Sequence, residues 1–194
     1  MKRMLLCLLA CFMLTGCKAR PFARELESTM LVQVLGVDWT QDGVVLTAAS
    51  DPGAGGGTAV LSAWGRDLQE AKKALVGAGE GYVTLTHVTQ IVLGAGSDHR
   101  KVLEAALEEP ALGQAATVWL TAEGTANNVM MAVNGGAKRL SAIELNSGVR
   151  AVTVLQSLMW LEETGGVRLP VLEVKGSTLA WKGTDVVGKV NYGA

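Results

Sequence analysis

The sequence predicts an α+β fold: a mixed β-sheet with helices packed on it, followed by short C-terminal strands. Three observations point there. Valine-rich, nearly continuous apolar runs such as "MLVQVLGVDW" (Met30–Trp39) and "AATVWLTAE" (Ala115–Glu123) read as strands covered on both faces. Between them lie segments whose apolar residues recur at helical spacing behind capping residues. The order of the two kinds, ββ(β)αβαβααα and then strands, interleaves them as layered sheet-and-helix folds do.

Taken in order, the Met30–Trp39 strand pairs with "GVVLTAAS" (Gly43–Ser50), because the intervening "TQDG" ends in Asp42-Gly43, a dipeptide that supplies the positive φ angles of a hairpin turn. "DPGAGGGT" (Asp51–Thr58) reads as a flexible hairpin connection. It lacks the Lys-Ser/Thr pair and following helix of a phosphate loop and runs into a strand, "TAVLSAW". Asp67 and Glu70 take the N-cap and N3 positions of a capping box, and Leu68, Ala71 and Leu75 form the stripe of a helix that ends near "GAGEG". "YVTLTHVTQIVLGAG" (Tyr82–Gly96) is dense in β-branched residues and holds one long strand or two short ones. Ser97 or Asp98 caps a helix carrying Val102, Leu103, Ala106 and Leu107, and Pro110 follows its end. Past the Ala115–Glu123 strand, Thr125–Val133 and Lys138–Leu145 form two short helices separated by "NGG". Val149–Glu163 is a longer helix, with Val152, Leu155 and Met159 at helical spacing, that stops at "TGG". Val167–Val190 alternates and turns as short strands do, the last pair joined at "KGTD".

The first residues are of a different kind. After Lys2 and Arg3 comes an uncharged apolar stretch of about a dozen residues, shorter than the roughly 20 that span a membrane, which fits the h-region of a signal peptide. It ends in Leu14-Thr15-Gly16-Cys17, which resembles the bacterial lipobox; a plain signal peptide that contains a cysteine is the other reading. The lipobox implies cleavage between Gly16 and Cys17 and a diacylglycerol thioether on Cys17. Acyl chains contribute about 0.8 kcal/mol per buried CH₂, so two or three on one residue hold a domain on a bilayer. The expected organisation is a signal peptide at 1–16, the lipidated cysteine and a basic tether at 17–29, a mixed α/β domain at 30–166, and a strand or hairpin segment at 167–194.

All three cysteines, Cys7, Cys11 and Cys17, fall in the signal or at the lipidation site, so the body needs neither a disulfide nor a cysteine-held metal. Loss of residues 1–16 shifts the net charge from −1 to −3, a mild balance with no electrostatic footprint for nucleic acid. Chemistry is poorly provided for. His87 sits in an apolar strand as a structural imidazole, and His99 opens a helix as solvated surface beside Asp98 and Arg100. Two histidines without metal-ligand spacing argue against a metal site, and no G-x-S-x-G elbow occurs. Asp38, at the end of a buried strand, caps the turn of "DWTQDG" or serves an active site; the cap is the favoured reading. The pairs Glu108-Glu109 and Glu162-Glu163 face solvent at helix ends. Trp39 and Trp119 belong to the core, and Trp160 and Trp181 suit a partner-facing or membrane-facing surface. No catalytic residue, cofactor or metal is expected.

In combination and in order, several segments resemble the lipoprotein C subunit of bacterial spore nutrient-germinant receptors, the Ger(x)C family. "ARELESTMLVQVLGVDW" is similar to the family's opening, through Arg24, Glu25, Leu26 and the strand ending in Gly36, Val37 and Asp38. "GRDLQEAKKAL" resembles its amphipathic helix, "LTHVTQIVLGAG" its His-containing strand, with His87 and Gly94, and "VRLPVLEV" and "LAWKGTDVVGKV" the segments that open its next domain. The chain departs from the family at Lys18-Ala19 and at Ala95, and resembles its N-terminal part without the C-terminal domains. The resemblance implies a non-catalytic interaction subunit on the outer face of the spore inner membrane. Its partners would be the integral-membrane A and B receptor subunits and the membrane itself, through the lipid anchor. The alternative is a lipid-anchored solute-binding module of an envelope transport system.

Overall fold

In the computed structural model, residues 29–50, 59–79, 82–132 and 136–188 are described. The signal peptide, the Gly16-Cys17 cleavage and lipidation site, the tether to residue 28 and the glycine-rich loop 51–58 lie outside the described residues. The fold is α+β, a mixed sheet with helices packed on it.

The apolar run at the start breaks into β1 (Thr29–Leu31) and β2 (Val34–Thr40), and β3 (Gly43–Ser50) and β4 (Ala59–Gly65) follow as an antiparallel meander. The β2–β3 hairpin forms as predicted, but its two turn residues are Gln41 and Asp42, since Thr40 pairs with Gly43. Gly43 is instead the first residue of β3, at φ 137°, where a Cβ would stand 2.6 Å from the Gly65 carbonyl oxygen. Helix α1 (Leu68–Ala78) starts at the predicted cap: Asp67 Oδ1 accepts from the Glu70 N–H at 2.8 Å. The Glu70 carboxylate reaches back to the Arg66 N–H at 3.0 Å. The Tyr82–Gly96 run yields two short strands, β5 (Tyr82–Thr84), which pairs with β1 in parallel, and β6 (Gln90–Leu93). Asp98 caps α2 (His99–Glu108), accepting from the Lys101 N–H at 3.2 Å, and β7 (Thr117–Thr121) returns to the sheet. The two short helices are α3 (Ala126–Ala132) and α4 (Ala137–Ser147).

The predicted Val149–Glu163 helix begins later. Val152 and Thr153 form a two-residue strand, β8, against β7, and α5 runs over Val154–Thr164 behind a capping box of Thr153 and Gln156. Its buried face is Val154, Ser157, Leu158 and Leu161, so the predicted stripe is corrected: Leu155 and Met159 point outward. The last two strands, β9 (Val167–Lys175) and β10 (Thr178–Val187), are also corrected in detail. Their turn is Gly176-Ser177, and "KGTD" lies inside β10, where the register shifts between Trp181 and Gly183. Both strands continue the main sheet through the parallel pairing of β9 with β7.

The main sheet reads β10-β9-β7-β6-β2-β3-β4, with β8 beside β7. The four central strands β9, β7, β6 and β2 are parallel, and antiparallel strands flank them. Alternate residues feed two apolar layers. Leu35, Val37, Leu46, Ile91, Leu93, Val118 and Leu169 face the larger layer under α1, α2 and α5. Val34, Val92, Trp119 and Leu172 face the smaller layer under α3 and α4, with Met130 and Leu140. Trp39 and Trp119 are buried as predicted, and Lys101 Nζ stands 4.5 Å from the centre of the Trp39 ring.

Candidate functional site

The carboxyl ends of parallel strands are where open α/β sheets place ligands, and here β2, β6 and β7 end around one buried carboxylate. Asp38 is 6% exposed. Its Oδ1 accepts from the Ala126 N–H at 2.7 Å and its Oδ2 from the Asn127 N–H at 3.1 Å. Thr125 Oγ1 takes the Asn128 N–H at 3.1 Å. The first three N–H groups of α3, which a helix leaves without intrahelical partners, are thus satisfied by the protein's own side chains. The predicted local cap of "DWTQDG" is corrected accordingly, because Asp38 caps a helix 88 residues away. Burial raises the Asp38 pKa, and the two backbone N–H groups work against that rise.

Two glycines make room for this junction. A Cβ at Gly94 would lie 1.9 Å from Asp38 Oδ1, and one at Gly36 would lie 2.5 Å from Met130 Sδ. Gly36, Asp38 and Gly94 therefore act together to seat α3 on the sheet. The loop after β6 is fixed alongside. Gly94 N–H donates to the Val37 carbonyl at 3.1 Å, and Ser97 Oγ accepts from the Trp39 N–H at 3.0 Å.

Next to the junction lies a crevice of about 480 Å³, lined by Ala95, His99, Leu120, Thr121, Val171 and, from β10, Lys182, Gly183 and Asp185. Thr121 Oγ1 accepts from the Ala95 N–H at 2.8 Å, and Asp185 Oδ1 accepts from the Val186 N–H at 2.7 Å. His99 is corrected from solvated surface to half-buried, its Nε2 2.9 Å from the Gly94 carbonyl oxygen. These polar groups hold neighbouring backbone rather than converge on one point in the crevice.

The remaining predicted residues lie apart. His87 is exposed in a turn between β5 and β6, not in a strand. Glu109 is buried rather than solvated: it pairs with Lys72 Nζ at 2.7 Å and accepts from Gln69 Nε2 at 2.9 Å and the Ala111 N–H at 3.1 Å. Burial alone would raise its pKa, but the hydrogen bonds from Lys72, Ala111 and Gln69 hold it below the usual range. Glu162 is exposed and bonds Arg100, which also holds Glu104 at 2.8 Å, so the pair ties α5 to α2. Trp160 and Trp181 are both exposed. Trp160 shares the outer side of α5 with Met159, and Trp181 lines a second groove, of about 460 Å³, with Arg139, Ile143 and Leu179 between α4 and β10.

Sequence reading missed the union of Asp38 with α3 and the contribution of β10 to the crevice. Among the described residues, no three His, Cys, Asp or Glu side chains are grouped to hold a metal, and no helix is long and apolar enough to cross a membrane. No family model, no curated protein and no solved structure matches the chain.

Proposed function

We propose that this protein is a lipid-anchored, non-catalytic interaction subunit of a spore germinant receptor, held at the outer face of the spore inner membrane beside integral-membrane A and B subunits. The observation that carries the reading is the Leu14-Thr15-Gly16-Cys17 run directly behind an uncharged apolar stretch. The ordered segments that resemble those of the Ger(x)C family support the germination role. The engaged state of the buried carboxylates supports a non-catalytic body: Asp38 serves α3 and Glu109 serves Lys72. Exposed aromatic side chains at Trp64, Trp160 and Trp181 give such a body surfaces with which to meet partners. The acyl anchor confines the domain near its neighbours, so a modest interface suffices.

Replacing Cys17 by Ala in the source organism tests this reading. The variant is expected to leave the membrane fraction and to slow nutrient-triggered germination to the rate of a deletion strain. Equal membrane retention, normal germination of the deletion strain, or a source organism that forms no spores would contradict it. A second reading, the lipid-anchored solute-binding module, is favoured by one observation, the crevice at the carboxyl ends of β6 and β7. It predicts a ligand-dependent rise in Tm that Thr121→Val or Lys182→Ala abolishes.

A further inference from the structure

The two edges of the main sheet are built differently. At one edge β10 carries Lys182, Asp185 and a register shift, devices that discourage a further strand from pairing. At the other edge β4 has no charge, no proline and no register shift against β3, and no described strand lies on its outer side. Its exposed indole, Trp64, is 53% accessible. We propose that β4 is a self-pairing edge through which two copies of this chain join, antiparallel, into one continuous sheet.

The sequence of β4 is what commits the site to a second copy. An antiparallel pair centred on Ser62 sets Val60 opposite Trp64 of the other copy, twice, and Leu61 opposite Ala63, twice. Aromatic against β-branched is among the favoured cross-strand pairs. Alternation places Val60, Ser62 and Trp64 on the α3 side of the sheet and Leu61 and Ala63 on the α1 side, where they already pack against the larger core. On the α3 side, Asn127 Nδ2 donates to Ser62 Oγ at 2.8 Å. Met131, one helical turn further along the same side of α3, is 59% exposed. Pairing brings the indole of the second copy to the corner formed by Val60 and Met131, where a thioether meets an aromatic ring favourably.

The test is sedimentation of the full chain in detergent, with Trp64→Lys, Val60→Glu and the double variant. The wild type is expected to be a dimer, and each single variant to weaken self-association by at least about tenfold through a charge placed on the pairing edge. The double variant is expected to recover the dimer, because the introduced carboxylate of each copy then faces the introduced ammonium of the other. Val186→Glu, on β10 at the opposite edge, should leave self-association unchanged. Circular dichroism melts establish that each variant is folded. A monomeric wild type, including one that instead takes an extended strand from another protein, overturns the proposal. So do single variants that stay dimeric, or a double variant that stays monomeric.

Discussion

Asp38 shows how one side chain links two distant parts of the chain. With its carboxylate removed, the buried Ala126 N–H and the half-buried Asn127 N–H lose their acceptors, so Asp38→Ala should cost about 2 kcal/mol in denaturant unfolding. Gly94→Ala should cost as much or more, since the new methyl group displaces the same carboxylate. The pH dependence has a defined sign. Because burial raises the Asp38 pKa in the folded state, its contribution to stability is complete below the ordinary Asp value, about 3.9, and is lost as pH rises through the folded value. The cost of Asp38→Asn is therefore greatest in acid and shrinks as pH rises. Glu109 behaves oppositely. Its pKa is lowered when folded, so its contribution is present above about 4.3 and is lost as pH falls through the folded value. The cost of Glu109→Gln should shrink on acidification, and unfolding curves over a pH series separate the two.

Among the elements, α5 gives the sharpest contrast. Leu161→Ala should cost about 2–5 kcal/mol, as loss of a buried leucine does, whereas Leu155→Ala and Met159→Ala should stay within about 0.5 kcal/mol. Equal costs at all three positions would contradict the observed face. The helix itself is legible in the sequence, but its face is not, because the inward stripe contains a serine. Ser157 is buried with its hydroxyl donating to the Thr153 carbonyl at 2.8 Å, which hides a core position behind a polar letter. The start of α5 does carry a signal: Thr153 and Gln156 are a capping box in plain view. Elements with local chemistry are legible, as at Asp67 and Asp98, whose caps act within three residues. "KGTD" and "KGST" have the same turn chemistry, and only the pairing with β9 shows that one is a bulge and the other the hairpin.

At the scale of the whole molecule, the order of strands and the role of Asp38 are out of reach of local pattern, because each depends on crossovers that join segments far apart in the chain. The seat of α3 shows the consequence. Gly36 and Asp38 lie in one segment of the sequence and Gly94 in another, and only the structure joins them in one packing role. On the proposed reading, this body meets its neighbours by surface rather than by reaction, and a lipid anchor decides where it does so. The most direct measurement of that claim is mass spectrometry of the native protein's N-terminus. The expected first residue is Cys17, bearing a thioether-linked diacylglycerol. A chain that keeps residues 1–16, or one that carries an unmodified Cys17 thiol, would contradict it.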